Sequence, residues 1–190
     1  MNRSKQKEKR RQEILNVGLD LFIRKGYAAT RTAEIAKTVG MSEGLLFHYF
    51  ERKEKLYMAL LELANLGKDN IFSPKHQSPI EFFEGTAKTI LDYISKESFA
   101  AKLFVLMNRA QYDEALPEQI RNTLTRQNDI DYTVKIILQG QRDGSIRCGN
   151  PIALTMAFFM AIQGIAENVA RNPDMPIPDP EWVVDIIRGK

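Results

Sequence analysis

Helical periodicity along almost the whole chain is the feature that most constrains the fold. Apolar residues recur at intervals of three and four, and no run alternates cleanly enough to predict a β-strand. Glycine and proline breakers divide the chain into about nine predicted helices, so the sequence predicts an all-α fold. These helices cover about residues 4–25, 32–39, 43–49, 53–69, 79–95, 98–112, 117–140 and 151–170, with a short last helix from about 180.

Local signals set several helix boundaries. The segment Ser78-Pro79-Ile80-Glu81 combines an N-cap serine, a proline in the first turn and the glutamate of a capping box. Asn150-Pro151 starts another helix, and Gly26 suits the position after the first helix, where a positive φ favours glycine. We expect a small N-terminal domain of three helices, residues 1–52, and a larger helical domain, residues 53–190.

Charge is distributed unevenly along the chain. The first 55 residues hold 13 Lys/Arg and 7 Asp/Glu, a net charge of +6, against +3 for all 190 residues. A basic head on a mildly acidic body favours a polyanionic partner, and a solvated charged terminus is the alternative. Residues 4–25 are too charged for a signal peptide, and the uncharged stretch 148–166 is short for a bilayer. We therefore expect a cytoplasmic protein with no membrane partner.

The segment from Thr32 to Tyr49 has the packing pattern of a helix-turn-helix. Ala36 is small where two helices must cross closely, and Gly40 stands four residues later, where the backbone must turn. Apolar residues at helical spacing can bury both helices against the first one: Ile35, Val39, Met41, Leu46 and Tyr49 or Phe50. The pattern predicts a DNA-binding domain, and a tight helical hairpin without DNA function is the alternative.

The wider segment resembles the TetR family of repressors. The resemblance is continuous from about residue 10 to 60, and its most specific phrase is Phe47-His48-Tyr49-Phe50. Other matching phrases are Leu19-Asp20-Leu21-Phe22, Lys25-Gly26-Tyr27 and Lys53-Glu54. Beyond residue 60 only helix number, spacing and total length agree. The resemblance implies a helix-turn-helix DNA-binding domain followed by a ligand-binding and dimerisation domain, in a repressor released from a double-stranded DNA operator by an effector.

The resemblance also implies that residues 43–49 form the recognition helix in the major groove. Glu43, Gly44, Leu45 and Phe47 are then expected to face base edges, where many relatives have Lys, a small hydroxyl residue and Tyr in place of Glu43, Leu45 and Phe47. Packing within the small domain is the alternative for Phe47 and Tyr49. The full set of residues expected at the DNA is Thr32, Ser42, Glu43, Gly44, Leu45, Phe47, His48, Tyr49 and Lys53.

A single recognition helix reads only a few base pairs, so we expect a homodimer on a palindromic operator. The segment 150–170, which is uncharged over most of its length and has small residues that permit close helix approach, is the predicted interface, together with the last helix. The alternative is that this segment is the centre of its own domain, and both roles can hold on opposite faces of the helix. The predicted interface residues are Ala157, Phe158, Ala161, Ile162, Ile165, Trp182, Val183 and Ile186.

The family resemblance further implies an effector pocket between helices 4 and 8. Aromatic and methionine side chains make adaptable apolar walls, which favours a mainly apolar or aromatic small molecule. Core packing is the alternative for each residue taken singly. The predicted lining residues are Phe83, Phe104, Met107, Asn108, Tyr112, Tyr132, Phe159, Met160 and Gln163.

No catalytic or metal site is recognisable in the sequence. His48 and His76 are the only histidines and form no metal-ligand spacing, and Cys148 has no nearby histidine. No phosphate-binding glycine loop or serine nucleophile motif occurs. We expect neither enzyme activity nor a cofactor. Two rival functions stay open: a DNA-binding dimer without a small-molecule effector, and a helical protein-interaction module that has lost DNA binding.

Overall fold

The computed structural model describes residues 3–68, 78–124 and 128–189. Within these ranges every regular element is an α-helix, which confirms the all-α prediction, and the one β-bridge joins Ile146 to Arg188. The ten helices are α1 (Arg3–Ala29), α2 (Thr32–Val39), α3 (Glu43–Phe47), α4 (Lys53–Lys68), α5 (Pro79–Lys96), α6 (Ser98–Ala110), α7 (Glu118–Arg121), α8 (Asn128–Asp143), α9 (Pro151–Arg171) and α10 (Pro180–Val184).

The chain forms two compact units. The first combines Met1–Asn65 with Val105–Leu124, and the second combines Leu66–Phe104 with Thr125–Lys190. Helices α4 and α6 each pass from one unit into the other. The domain boundary expected at residue 52 lies inside the first unit, because α4 packs against α1.

In the first unit, α1 carries an exposed charged arm and then buries one apolar face. Ile14, Leu15 and Leu19 are fully buried on that face. Gly18 permits a close approach of α4, since a Cβ at this position would lie 3.1 Å from a methyl carbon of Leu56. Gly26 has φ 78° and interrupts the helical geometry of α1, as its position in the sequence predicts.

The turn between α2 and α3 is the one predicted for a helix-turn-helix. Gly40 has φ 74° and ψ 41°, which is the left-handed conformation that glycine adopts readily. The Met41 N–H donates to the Ala36 carbonyl at 2.9 Å, so the end of α2 is satisfied by a Schellman-type bond. Ser42 caps α3 by accepting from the Leu45 N–H at 3.2 Å. Both the glycine turn and the serine cap are confirmed.

The second unit is built on α5, α8, α9 and α10. The capping box at α5 is confirmed: Ser78 accepts from the Glu81 N–H, and the Glu81 carboxylate accepts from the Ser78 N–H. Asn150 starts α9 by accepting from the N–H groups of Ile152 and Ala153. These caps satisfy donors that a helix cannot satisfy internally, so they fix where the two long helices begin.

The single helix predicted for residues 117–140 is wrong. The helix that begins there ends at Arg121, and α8 begins at Asn128. The Thr123 hydroxyl donates to the Ile120 carbonyl at 2.7 Å, a local bond of the kind by which Ser, Thr and Asn compete with helix propagation. Residues 125–127, His76 and the predicted end of the fourth helix at 69 lie outside the described residues.

Helix α9 is, among the described residues, the one helix long and apolar enough to cross a membrane by length and composition. The expectation that this segment is too short is therefore wrong, because the helix continues past Ala166 to Arg171 and has 21 residues. One row of α9 is buried in the second unit, including Phe158 and Ile162. Burial of one row of side chains is also what we expect of a core helix in a globular domain.

Candidate nucleic-acid interface

Helix α3 has one buried residue and an exposed row beside it. Leu46 is fully buried and pins the helix onto the first unit. Leu45 and Phe47 are 45% and 39% exposed, and Gly44 and His48 are exposed as well. Phe47 is therefore not enclosed by the small domain, which was its alternative interpretation. The face of α3 that carries Gly44, Leu45 and Phe47 is not covered by the protein's own core.

Gly44 lies in this exposed row without a structural need for glycine. A Cβ added to Gly44 meets no protein atom within 4 Å, and its φ is not in the left-handed region. Glycine within a helix costs about 1 kcal/mol of stability relative to alanine. The space in front of Gly44 is therefore open to a partner that approaches the α3 backbone closely.

Two predicted DNA-binding residues contact each other across the helix-turn-helix. Thr32 begins α2, Glu43 begins α3, and both are half-buried. The Thr32 hydroxyl donates to Oε1 of Glu43 at 2.5 Å. The one proton of the Thr32 hydroxyl is thus used within the protein.

Lys53 is turned toward the protein rather than directly outward. Its ammonium donates to the carbonyls of Tyr27 at 2.9 Å and Thr30 at 3.0 Å, and lies 4.2 Å from the centroid of the Tyr27 ring. Burial lowers the pKa of Lys53. An ammonium has three N–H groups, so one remains for a phosphate. Sequence reasoning missed the structural role, because these partners lie more than twenty residues earlier in the chain.

An aromatic cluster around Lys53 fixes the junction of α1 and α4. The Tyr27 hydroxyl donates to Glu54 at 2.8 Å, and the Tyr27 ring meets Tyr57 edge to face at 5.2 Å. Burial, followed by the bond to Glu54, raises the pKa of Tyr27, and burial raises the pKa of Tyr57. Both phenols are thus neutral at physiological pH, and the cluster holds the start of α4 against the end of α1.

The charged arm of α1 and the end of α3 line an open groove of about 590 Å³. Its residues are Arg3, Ser4, Gln6, Lys7, Arg10 and Tyr49. Arg10 pairs with Glu13 at 2.7 Å, and the neighbouring Arg11 lies 5.1 Å above the Phe50 ring. Tyr49, which is half-buried, therefore borders a cationic groove beside the exposed row of α3.

In the second unit, three of the residues predicted to line an effector pocket belong to a series of edge-to-face aromatic contacts. Phe82 lies 5.9 Å from Tyr132 and 5.2 Å from Phe83, measured between ring centroids. Phe83 lies 4.9 Å from Phe158, which in turn lies 5.1 Å from Phe159. The structure thus brings together three predicted lining residues from α5, α8 and α9.

Two polar atoms on α5 and α9 stand out among the described residues. Oγ1 of Thr86 and Oε1 of Gln163 are buried and have no hydrogen-bond partner. The other side of the Gln163 amide donates to Glu167 at 3.2 Å. A buried acceptor without a partner is costly, so these atoms are suited to a bound polar group or water.

The remaining predicted lining residues are dispersed. Phe104 is half-buried, while Met160 is 45% exposed and belongs to the surface of α9. Met107, Asn108 and Tyr112 belong to the first unit rather than the second. Tyr112 is 64% exposed, so it lies on the surface and not in an interior wall.

Helix α9 separates its core face from an exposed apolar face. Phe158 and Ile162, predicted for the dimer interface, are fully buried in the second unit, and Val183 of α10 is 4% exposed. These three predictions are wrong, because a side chain enclosed by its own domain has no surface for a partner. Ala157 is exposed, and Ala161, Ile165 and Ile186 are half-buried.

The exposed face of α9 carries apolar residues that sequence reasoning had not assigned to the interface. Ile152 is 57% exposed and Met156 is 42% exposed. Gly164 is exposed, and a Cβ placed there meets no protein atom within 4 Å. Trp182 on α10, which the sequence did predict for the interface, is 69% exposed. The periodicity of α9 could not identify this face, because the helix is apolar on nearly all sides.

No set of three or more His, Cys, Asp and Glu residues in the described part of the chain could hold a metal ion. Cys148 is exposed in the turn before α9, and His48 caps the end of α3. Neither side chain is part of an arrangement that would activate a nucleophile.

The sequence is similar to those of known bacterial regulators. Residues 14–60 match the family described as bacterial regulatory proteins, tetR family. The regulator QacR of Staphylococcus aureus is 42% identical over 53 residues, which is 28% of this chain and 28% of QacR. The repressor KstR2 of Mycolicibacterium smegmatis is 27% identical over 160 residues, covering 79% of this chain and 74% of KstR2.

Similarity of fold extends further than similarity of sequence. The crystal structure of AibR in complex with isovaleryl coenzyme A and operator DNA has a TM-score of 0.65 and 20% identity, covering 93% of this chain and 94% of AibR. At this identity the likeness concerns the fold. The sequence match spans only 28% of the length of relatives such as QacR and AcrR of Shigella flexneri. The family match, residues 14–60, includes the helix-turn-helix.

Proposed function

We propose that the chain, whose residues 14–60 match the tetR family of bacterial regulatory proteins, is a cytoplasmic, DNA-binding transcriptional repressor of that family and acts as a homodimer. Helix α3 enters the major groove of a double-stranded operator. The observation that carries this proposal is the division of α3, in which Leu46 anchors the helix while Leu45 and Phe47 stay exposed beside it. A helix held in this way can bring its side chains to base edges.

Charge supports a nucleic-acid partner at the same surface. The arm residues Arg3, Lys7 and Arg10 line a groove with Tyr49, next to the exposed row of α3. Cations in such a groove displace counterions from phosphates and supply affinity that does not depend on sequence. The remaining N–H of Lys53 can add a phosphate contact at the start of α4.

Substitution of one exposed apolar residue tests the placement of α3. Leu45→Glu puts a negative charge on the groove-facing row, and we expect affinity for every duplex to fall by at least about tenfold. Met175→Glu is the matched control, because Met175 is 44% exposed and lies in the loop after α9, which belongs to the second unit. Fluorescence anisotropy with a labelled duplex measures both. Equal effects of the two variants would place DNA elsewhere on the protein.

The exposed apolar face of α9 supports dimerisation with a second copy of the chain. Ile152, Met156 and the indole of Trp182 remain in solvent in the single chain, although these groups favour burial. The open Gly164 allows another helix to come close. A two-fold dimer presents two α3 helices, which suits a palindromic operator.

We also propose an effector site in the second unit. AibR was crystallised with isovaleryl coenzyme A, and the Mycobacterium tuberculosis KstR2 structure is described as that of a ketosteroid transcriptional regulator. For this chain, the aromatic contacts from Tyr132 to Phe159 favour a mainly apolar or aromatic molecule. The unpartnered oxygens of Thr86 and Gln163 can orient its polar groups.

Coupling between effector and operator follows from the helices shared by both units. Helices α4 and α6 begin in one unit and end in the other. Arg109, near the end of α6, donates to the Ile23 carbonyl at 2.7 Å, just before the interruption of α1 at Gly26. An effector that shifts these helices changes the spacing of the two α3 copies, so effector and operator weaken each other's binding.

Thermal unfolding tests the effector proposal with isovaleryl coenzyme A and a ketosteroid as separate probes. A molecule that binds the folded state raises Tm, and the same molecule should release a labelled operator duplex. The rise in Tm should be smaller in Gln163→Leu. If neither probe nor any other apolar compound raises Tm, a regulator without a small-molecule effector is favoured.

A further inference from the structure

The contact between Thr32 and Glu43 bears on how the protein recognises one base pair of its operator. This inference rests on the proposed DNA-binding function. Glu43 is an unexpected residue on a DNA-facing helix, since its charge repels phosphates. Its carboxylate has no Lys or Arg partner among the described residues, whereas Glu34 on α2 pairs with Lys25 at 2.6 Å. The group that contacts Glu43 is the neutral hydroxyl of Thr32.

The geometry of this contact limits what each residue can offer to DNA. A threonine hydroxyl has one proton, and here that proton is given to Oε1 of Glu43. An ionised carboxylate only accepts hydrogen bonds, so Oε2 of Glu43 remains an acceptor with no donor assigned to it. Thr32 fixes the carboxylate at the start of α3, in the row that continues with Gly44 and Leu45.

An acceptor held rigidly in the major groove discriminates between bases. Cytosine presents its N4 amino group there, and a carboxylate accepts from it. The major-groove edges of guanine and thymine present acceptors instead, which a carboxylate repels. Adenine offers an amino group beside an acceptor, a combination that matches an amide side chain better than a carboxylate.

We propose that Thr32 is a positioning residue that holds Glu43 so that its free oxygen accepts a hydrogen bond from the amino group of a cytosine in each operator half-site. Glu43 is then the specificity-determining residue for that base pair. Its negative charge also lowers affinity for DNA that lacks the cytosine, because no donor offsets the repulsion from phosphates.

Binding to a panel of duplexes tests this assignment. The parent duplex is one selected from a random pool by the wild-type protein, and each half-site position is then changed to the other three base pairs. We expect the wild type to prefer cytosine at one position by about tenfold, which corresponds to about 1.4 kcal/mol. Thr32→Val should lose that preference, so that its affinities for the four duplexes that differ at this position become equal. Thr32→Ser keeps the hydroxyl and should restore the preference.

Glu43→Gln is a second, independent test. Glu43 is only half-buried, so a change of its charge does not disturb the core. Glutamine pairs with adenine through two hydrogen bonds, so the preference at the same position should move from cytosine to adenine. Loss of a negative charge should also strengthen binding to the random duplex. Equal Tm values for the wild type and the variants separate these effects from loss of structure.

The alternative role of Thr32 predicts a different outcome. If Thr32→Val weakens binding to all duplexes by the same factor, Thr32 is a phosphate donor and the inference is overturned. Unchanged base preference in Glu43→Gln overturns it as well. Failure of the wild type to bind any duplex would instead contradict the proposed function itself.

Discussion

Lys53 shows, at the scale of a single residue, how a group predicted to bind DNA can also hold the fold together. Its ammonium joins two backbone carbonyls of the segment between α1 and α2 and lies over the Tyr27 ring. Sequence reasoning identified the charge and the helix start, but not these partners. The side-chain contacts of Lys53 and Thr32 depend on how the helices pack, and nothing in the local sequence encodes them.

Lys53→Ala should therefore destabilise the protein as well as weaken DNA binding. Two carbonyls lose their donor, so the free energy of unfolding should fall by about 1–3 kcal/mol. Lys55→Ala is the matched control, because Lys55 lies on the same helix and is exposed. Chemical denaturation measures both variants. A residue that only contacts phosphate would leave the free energy of unfolding unchanged, and that result would contradict the structural role.

Substitution of Gly44 should lower affinity for DNA without lowering the free energy of unfolding. Gly44→Ala adds a methyl group that meets no protein atom. The free energy of unfolding should stay the same or rise by up to about 1 kcal/mol, since alanine is the better helix former. Affinity for operator DNA should fall at least several-fold, because the methyl group occupies space that the DNA needs. Denaturation and anisotropy titration test the two effects, and unchanged affinity would show that no partner approaches Gly44.

At the scale of helices, the sequence predicts well the caps and turns that depend on residues close together in the chain. The capping box at Ser78, the cap at Asn150 and the turn at Gly40 depend on residues close together in the chain, and all three are confirmed. The break after Arg121 was missed, because helical periodicity continues across it. The core face of α9 was missed for a related reason: a helix that is apolar all round has no periodic signal to orient it.

The exposed face of α9 gives a prediction for the oligomer. Gly164→Leu puts a bulky side chain where a second helix is expected to come close, so the dimer should dissociate at higher protein concentrations than the wild type does. Lys88→Leu, an exposed change on α5, is the control and should leave the dimer intact. Sedimentation equilibrium measures the dissociation constant. An unchanged constant for Gly164→Leu would exclude this face from the interface.

At the scale of the whole molecule, the two units divide the work of the proposed repressor. The first unit carries α3, the basic arm and the contact between Thr32 and Glu43. The second unit carries the aromatic contacts, the unpartnered oxygens and the exposed face of α9. The family match, residues 14–60, lies in the first unit. The proposed effector site lies in the second unit and is inferred from that unit's own residues.

Selection of bound duplexes from a random pool is the decisive experiment for the proposal that a dimer reads DNA through the exposed row of α3. We expect enrichment of an inverted repeat whose half-site centres lie one helical turn apart, about 34–36 Å, or a whole multiple of it. Leu45→Glu should abolish the enrichment. A pool that stays random with the wild-type protein, or an enriched sequence without two-fold symmetry, would contradict the claim.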